Sequence, residues 1–453
     1  MSKRVLAFLF TLCFLFSPVY ACALEEAVDE AVVSAAADPE ALAESIQPQP
    51  EKRVAVEYHP DEQKTPETLP TVKSEAVYLA DPDSGKVFFE KNAHKKMFPA
   101  STTKLLTALL VLENCTLEER AVVSPRAVNL VPAGYVTANL KVGESHTVRT
   151  LLQALLIPSA NEAAFVLAEH VGGSVEAFAS LCNQRAAELG CETLHFVNPN
   201  GIHDANHYCS AYDLFLIAKA CCQFDTFREI VKTKSFTVPA TDVYPASDRT
   251  FQNTNSLLLP SSSAYDARCT GIKTGYTPEA GECLVASGSA DGLQLISVVL
   301  GGNAGANTRF PDTEKLFSFV YDNYAYQQIA DKTQPLQQVT VKKATKKTQA
   351  LDIILQQDIA SVAPKDLTPD RVPTKIDLPE ELKAPIRKNQ VLGNVTYSVD
   401  GFTYTADLVA QHDVVKKPYW LYNLLVVFAL FVLFVAVRTV YLQQKRKRRR
   451  QRR

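Results

Sequence analysis

The strongest constraint on this chain lies near its end. From Tyr419 to Val437 no charged residue occurs, and Leu, Val and Phe dominate. At about 1.5 Å of rise per residue, such a run is long enough to cross a hydrocarbon core of roughly 30 Å as a helix. One transmembrane helix is predicted over 419–437. Tyr419, Trp420 and Tyr422 stand at its start, where amphipathic rings favour the interface, and Arg438 opens a basic tail over 438–453. Lys445, Arg446, Lys447, Arg448, Arg449, Arg450, Arg452 and Arg453 make the tail a positive-inside anchor, which predicts a cytoplasmic C-terminus and a body exported to the far side of the cell membrane.

The other end carries a second export signal. Lys3-Arg4 precedes an apolar run from Val5 to Phe16, and Ala21 and Ala23 supply small residues, so residues 1–23 are expected to be a signal peptide cleaved after Ala23. Val19-Tyr20-Ala21-Cys22 also has a faint lipoprotein-site pattern, kept as a minor alternative. Residues 24–71 are rich in Ala, Glu and Pro with no sustained amphipathic period, and are expected to be a disordered linker.

With 453 residues, 47% hydrophobic and 21% charged, the chain can bury a sizeable core. The net charge of −2 hides an asymmetry: without the eight tail cations, 39 basic residues face 49 acidic ones. An acidic body argues against nucleic acid as a partner. Of ten cysteines, two lie in the signal segment and eight between Cys115 and Cys283. Export permits disulfides among the eight, the pairing is open, and free buried thiols are the alternative.

Ala76–Ala80, the Asp81–Gly85 turn and Lys86–Glu90 read as strand, turn and strand. Helical patterns follow at Val148–Leu156 and Val175–Leu189, and apolar strand returns at Leu293–Leu300. A domain over 72–330 is therefore expected to be α/β (α+β), its sheet assembled from both ends of the segment. Over 334–415, alternation at Val339–Val341, Thr374–Leu378, Val395–Val399 and Phe402–Ala406, around an Asp400-Gly401 turn, predicts a small antiparallel β-domain.

Three short motifs carry chemistry. Ser101-Thr-Thr-Lys104 opens a helix that is apolar nearly all round, so a hydroxyl and an amine share one face and the amine faces burial, which lowers a lysine's pKa. The alternative is an N-cap serine with a solvated lysine. Ser159-Ala-Asn161 follows a helical run, and Lys273-Thr274-Gly275 sits in a strand-like stretch. His203 and His207 are read as a hydrogen-bonded loop pair; no metal site and no cofactor are expected, since no Glu follows His203. Gly301–Gly305 lacks the spacing of a phosphate loop, and Cys209 reads as packing.

Ser-x-x-Lys, Ser-x-Asn and Lys-Thr-Gly in this order form the signature of penicillin-recognising serine enzymes. The chain resembles the low-molecular-mass penicillin-binding proteins, the serine D-alanyl-D-alanine carboxypeptidases, over roughly residues 75 to 325. Further blocks of that likeness are Phe196–Gly201 and His207–Leu214, and residues 334–415 resemble the family's β-rich C-terminal domain. The family's usual anchor is an amphipathic helix, whereas this chain has a full apolar span.

The resemblance implies a penicillin-binding/β-lactamase-like transpeptidase fold and removal of the terminal D-alanine from peptidoglycan stem peptides ending in D-Ala-D-Ala, with β-lactam antibiotics as covalent inhibitors. It assigns Ser101 as nucleophile, Lys104 as its base and Ser159 as proton relay. Asn161 would hold the substrate amide and position Lys104, while Lys273 and Thr274 would bind the terminal carboxylate. Gly275 would allow close approach, Ser101 and Tyr276 would lend oxyanion-hole N–H groups, and Arg309 would add to carboxylate binding. Ala160, Glu162 and Tyr212 depart from residues common in relatives, and the acceptor is left as water or an amine. Competing readings are an inactive membrane-tethered wall-binding protein and a β-lactamase-type hydrolase.

Overall fold

The computed structural model describes residues 54–62, 69–246, 249–303 and 305–450. The expected signal peptide and most of the expected linker lie outside the described residues. Within the linker span, however, Ala55–Tyr58 is a strand, β1, rather than disordered chain. It pairs antiparallel with Phe402–Thr405, and the Tyr58 ring stacks on Phe402 at 4.6 Å. No local periodicity announces this strand because its partner is more than 300 residues away.

The hairpin of β2 (Ala76–Ala80) and β3 (Val87–Lys91) turns through Asp81, whose carboxylate accepts from the Asp83 N–H and the Ser84 hydroxyl. A 3₁₀ turn over Ala100–Thr103 runs directly into helix α1 (Lys104–Asn114). Then come α2 (Pro125–Asn129), α3 (Val148–Leu156), α4 (Asn161–Gly172), α5 (Val175–Glu188), α6 (Ala211–Cys221) and α7 (Asp225–Lys232). Side-chain oxygens of Ser124, Thr147, Ser174 and Ser210 cap four of these helices, satisfying N–H groups that would otherwise be orphaned. Two short pairs, β4 (Arg120–Val122) with β5 (Ser145–Thr147) and β6 (Ser235–Thr237) with β7 (Thr250–Gln252), edge the helical region.

The chain returns to the sheet through β8 (Cys269–Thr277), β9 (Gly281–Ala290) and β10 (Leu293–Gly302), and closes with α8 (Arg309–Asn323). The antiparallel order β3-β2-β10-β9-β8 draws strands from both ends of the segment and leaves β8 at an edge. One core lies between the sheet and the helices around α1, which is buried from Lys104 to Val111, and a second packs α8 on the opposite face. An apolar all-round helix belongs at such a centre, because each fully buried Leu is worth about 1.5–3 kcal/mol of transfer free energy.

A second body contains β11 (Tyr324–Ala330), β12 (Gln337–Thr340), β13 (Ala350–Leu355), β14 (Ile359–Pro364), β15 (Thr374–Asp377), β16 (Val391–Val399) and β17 (Phe402–Ala410). Its main sheet runs β12-β13-β17-β16-β15, with β1 added to β17, around its own apolar core. The β16–β17 turn reaches the first body. There the Lys86 ammonium is fully buried, donates to the Asp400 carbonyl at 2.9 Å and pairs with the Asp400 carboxylate at 3.0 Å.

Finally, α9 (Tyr419–Arg450) carries a segment, Tyr422–Arg449, long and apolar enough to cross a membrane. The helix does not stop at Val437, where the apolar run ends, but continues through the basic residues to Arg450.

Candidate active site

Ser101 lies in the 3₁₀ turn and Lys104 is the first residue of α1, so the two are brought together by a tight turn entering the helix, not by the helix itself. The turn is held by its own side chains: Thr102 and Thr103 hydroxyls donate to the Pro99 and Ala100 carbonyls, with Ala100 in the left-handed region at φ 48. Lys104 is fully buried, and its Nζ has three acceptors: Ser101 Oγ at 2.9 Å, Asn161 Oδ1 at 2.9 Å and the Asn200 carbonyl at 2.7 Å. Burial, and then the positive Lys273 nearby, hold its pKa well below the ordinary lysine range, while Glu162 pulls the other way. A solvated lysine behind a capping serine is thereby excluded.

Ser159 lies in the link between α3 and α4, at φ 70, and Asn161 opens α4. The Asn161 side chain is turned by the Val136 carbonyl, which accepts from Nδ2 at 2.9 Å and from the Asn161 backbone N–H at 3.1 Å; this leaves Oδ1 facing Lys104.

Edge strand β8 forms the facing wall. A Cβ on Gly275 would lie 3.0 Å from both the Pro99 carbonyl and the Ser101 nitrogen, so glycine lets this strand close on the turn without either backbone group giving way. Thr274 donates to Thr254 Oγ1 at 2.6 Å, and buried Lys273 donates to the Thr274 carbonyl at 2.9 Å. Burial, reinforced by Arg309, lowers the Lys273 pKa to about 7. Arg309, first residue of α8, donates to the Gly275 carbonyl at 3.0 Å, and its Nε has no partner among the described residues. Tyr276 is half exposed on the rim. Ser101, Ser159, Asn161, Thr274, Gly275, Tyr276 and Arg309 all line one cleft of about 490 Å³, with the Lys104 and Lys273 amines buried behind its walls.

Three contributors escaped sequence reasoning. The Asn200 and Val136 carbonyls act as backbone groups, which no residue type advertises. Gly201, at φ 85, lies so close to the turn that a Cβ there would fall 1.8 Å from the Ala100 carbonyl. The histidines have structural surroundings. His207 stacks on Phe196 at 4.4 Å, meets Thr103 Oγ1 at 2.8 Å, and is pushed down to about 3 by burial; His203 packs its edge on Phe98. Cys209 is buried beside Met97, and burial drives its thiol far above the ordinary range, as expected of a packing cysteine. All eight cysteines among the described residues are free thiols.

Residues 62–304 match the family described as D-alanyl-D-alanine carboxypeptidase, peptidase S11, and residues 324–416 match the C-terminal domain of penicillin-binding protein 5. The chain is 29% identical to the D-alanyl-D-alanine carboxypeptidase DacF of Bacillus subtilis, over 79% of this chain and 89% of that one. It is 34% identical to the D-alanyl-D-alanine carboxypeptidase of Streptomyces sp. strain K15, over 54% of this chain and 85% of the relative. Among solved structures, penicillin-binding protein 5 from Haemophilus influenzae superposes with a TM-score of 0.57 at 25% identity, covering 77% of this chain and 99% of that one. The Streptomyces K15 DD-transpeptidase superposes at 0.53 and 32% identity, covering 56% and 99%. With a match over more than half its length, a penicillin-binding catalytic fold and a β-rich domain behind it, the chain belongs to the S11 family of D-alanyl-D-alanine carboxypeptidases.

Proposed function

We propose that Ser101 is the nucleophile and Lys104 the base with which this serine D-Ala-D-Ala carboxypeptidase removes the terminal D-alanine from peptidoglycan stem peptides. One observation carries the assignment: a fully buried lysine amine lies 2.9 Å from Ser101 Oγ. Burial favours the neutral amine. Neutral Lys104 retains two N–H donors, matched by Asn161 Oδ1 and the Asn200 carbonyl, and one lone pair, matched by the Ser101 O–H. Ser101 Oγ adds to the carbonyl carbon of the penultimate D-alanine as its proton passes to Lys104 Nζ. Backbone N–H groups of Ser101 and Tyr276 stabilise the oxyanion. Ser159 relays the proton to the departing amine, the C–N bond breaks, and D-alanine leaves. Water then adds to the Ser101 ester by the reverse proton path, releasing the shortened peptide.

Asn161 holds the substrate amide, and Lys273, Thr274 and Arg309 receive the terminal carboxylate. The same acylation makes β-lactams covalent inhibitors. An amine in place of water would give transpeptidation, a second reading favoured by the likeness to the Streptomyces K15 DD-transpeptidase. The apolar helix supports a cell-membrane protein whose catalytic body is exported and whose basic end is cytoplasmic.

The test is mass spectrometry of the full chain in detergent micelles after exposure to penicillin G, with free D-alanine measured from a peptide ending in D-Ala-D-Ala. An adduct on Ser101 and D-alanine release, both absent in Ser101→Ala, are expected. An adduct on another residue, or release that survives in Ser101→Ala, overturns the assignment.

A further inference from the structure

Glu162 follows Asn161 in α4 and has no place in the reaction described above. Its side chain is buried, at 2% exposure. One carboxylate oxygen, Oε1, accepts from the Ala138 N–H at 2.7 Å and from the Leu140 N–H at 3.3 Å. Between them stands Asn139, in the left-handed region at φ 56, so the two flanking N–H groups converge on a single oxygen. The Asn139 carbonyl is held from outside by Arg249 Nη1 at 3.2 Å, and Arg249 is locked against buried Glu144 at 2.8 Å. The segment 136–140 is therefore clamped on both sides. Its first carbonyl, Val136, is the group that turns Asn161 toward Lys104.

We propose that Glu162 is a positioning residue, whose carboxylate anchors the Val136–Leu140 segment so that the Val136 carbonyl holds Asn161 Oδ1 on the Lys104 amine. This rests on the assignment of Lys104 as base. The route runs through hydrogen bonds and one short piece of backbone: Glu162 Oε1 to the Ala138 N–H, along three residues of chain to the Val136 carbonyl, through the Asn161 amide, to Lys104 Nζ and Ser101 Oγ. The other oxygen, Oε2, is buried with no hydrogen-bond partner among the described residues, so the anchoring uses one oxygen alone. The negative charge also acts on Lys104 through space. The charged or titratable groups bearing on that amine are Lys273 from β8, Glu162 from α4 and His207 from the loop below the turn.

The experiment compares the full chain with Glu162→Ala, Glu162→Gln, Asn161→Ala and the double variant Asn161→Ala/Glu162→Ala. Penicillin acylation and D-alanine release are measured against pH, and rates are divided by the number of sites that penicillin finally titrates. Acylation and release by the unaltered chain decide the site assignment separately from this inference. Glu162→Ala is expected to lose about tenfold to a hundredfold in kcat per titrated site with KM little changed, the size of effect that small misplacements cause. In the Asn161→Ala background the same change should add almost nothing. Glu162→Gln keeps an oxygen for the two N–H groups but removes the charge, so it should retain most of the rate while the acidic limb moves to lower pH. Should Glu162→Ala fail to fold, Glu162→Met, which fills the space but offers no oxygen to the two N–H groups, decides: an undiminished rate per site overturns the inference. So does an undiminished rate per site in Glu162→Ala, or a full additional loss in the double variant, since a merely structural residue changes how much enzyme folds and not how each site turns over.

Discussion

Two buried lysines on neighbouring walls of one cleft make the site costly to fold, and pH should expose the cost. Folded Lys273 has largely given up its proton above about 7, whereas in the unfolded chain it keeps one up to its ordinary value near 10.5. Unfolding in that interval takes up a proton, so stability rises with pH from about 7 to about 10.5, by up to about 1.4 kcal/mol per pH unit for each such lysine. Lys104, also held well below its ordinary value by burial, adds in the same direction. Urea midpoints measured across this range should climb, and Lys273→Met should flatten the climb and raise stability at pH 7 while weakening substrate binding. Gly201→Ala gains nothing in exchange: its Cβ would fall 1.8 Å from the Ala100 carbonyl at a φ that side chains resist. A loss of about 3 kcal/mol, the upper end of the usual range for single substitutions, together with slower penicillin acylation is expected, read by thermal unfolding and stopped-flow. At this scale the residues legible in sequence were those whose side-chain identity marks the three motifs that the fold brings to one cleft: Ser101, Lys104, Asn161, Lys273. Asn200 and Val136 were illegible because only their carbonyls matter, and every residue has one.

Elements were legible where their periodicity is local. The β2–β3 hairpin, the buried helix α1 and the β16–β17 hairpin are each specified by neighbours within a few residues, through turn chemistry, caps and apolar spacing. Strand β1 is not legible in its own sequence because its edge-on partner, β17, supplies what that sequence lacks. The burial of Lys86 is invisible in sequence for the same reason, since Asp400, which neutralises it, is 314 residues away. Breaking a buried pair leaves the remaining charge uncompensated, so Lys86→Ala should cost about 3–5 kcal/mol. Denaturant unfolding followed by tryptophan-independent circular dichroism should show that loss, and Lys86→Met/Asp400→Asn, which removes both charges, should recover most of it.

For the whole molecule, the order of parts was readable from composition: an α+β body, a β-rich body and an apolar span, in that sequence. How the bodies meet was not, because that contact is made by a few residues distant in the chain. The helix α9 predicts a simple partition. The full chain should sediment with membranes, and a version ending before Tyr419 should be released into the soluble fraction with penicillin acylation per molecule unchanged; sedimentation and labelled penicillin read both. The strap formed by β1 has a mechanical meaning. The catalytic body leaves toward the β-rich body at both of its ends, through β1 on one side and β11 on the other. A body tethered once can swivel, whereas one tethered twice, with Lys86 pinned between the tethers, loses that freedom. A stem peptide held in the cleft would then pass any tension on it from one body to the other through a stiff bracket, and the mouth of the cleft would keep a fixed bearing on the β-rich body instead of swinging around it.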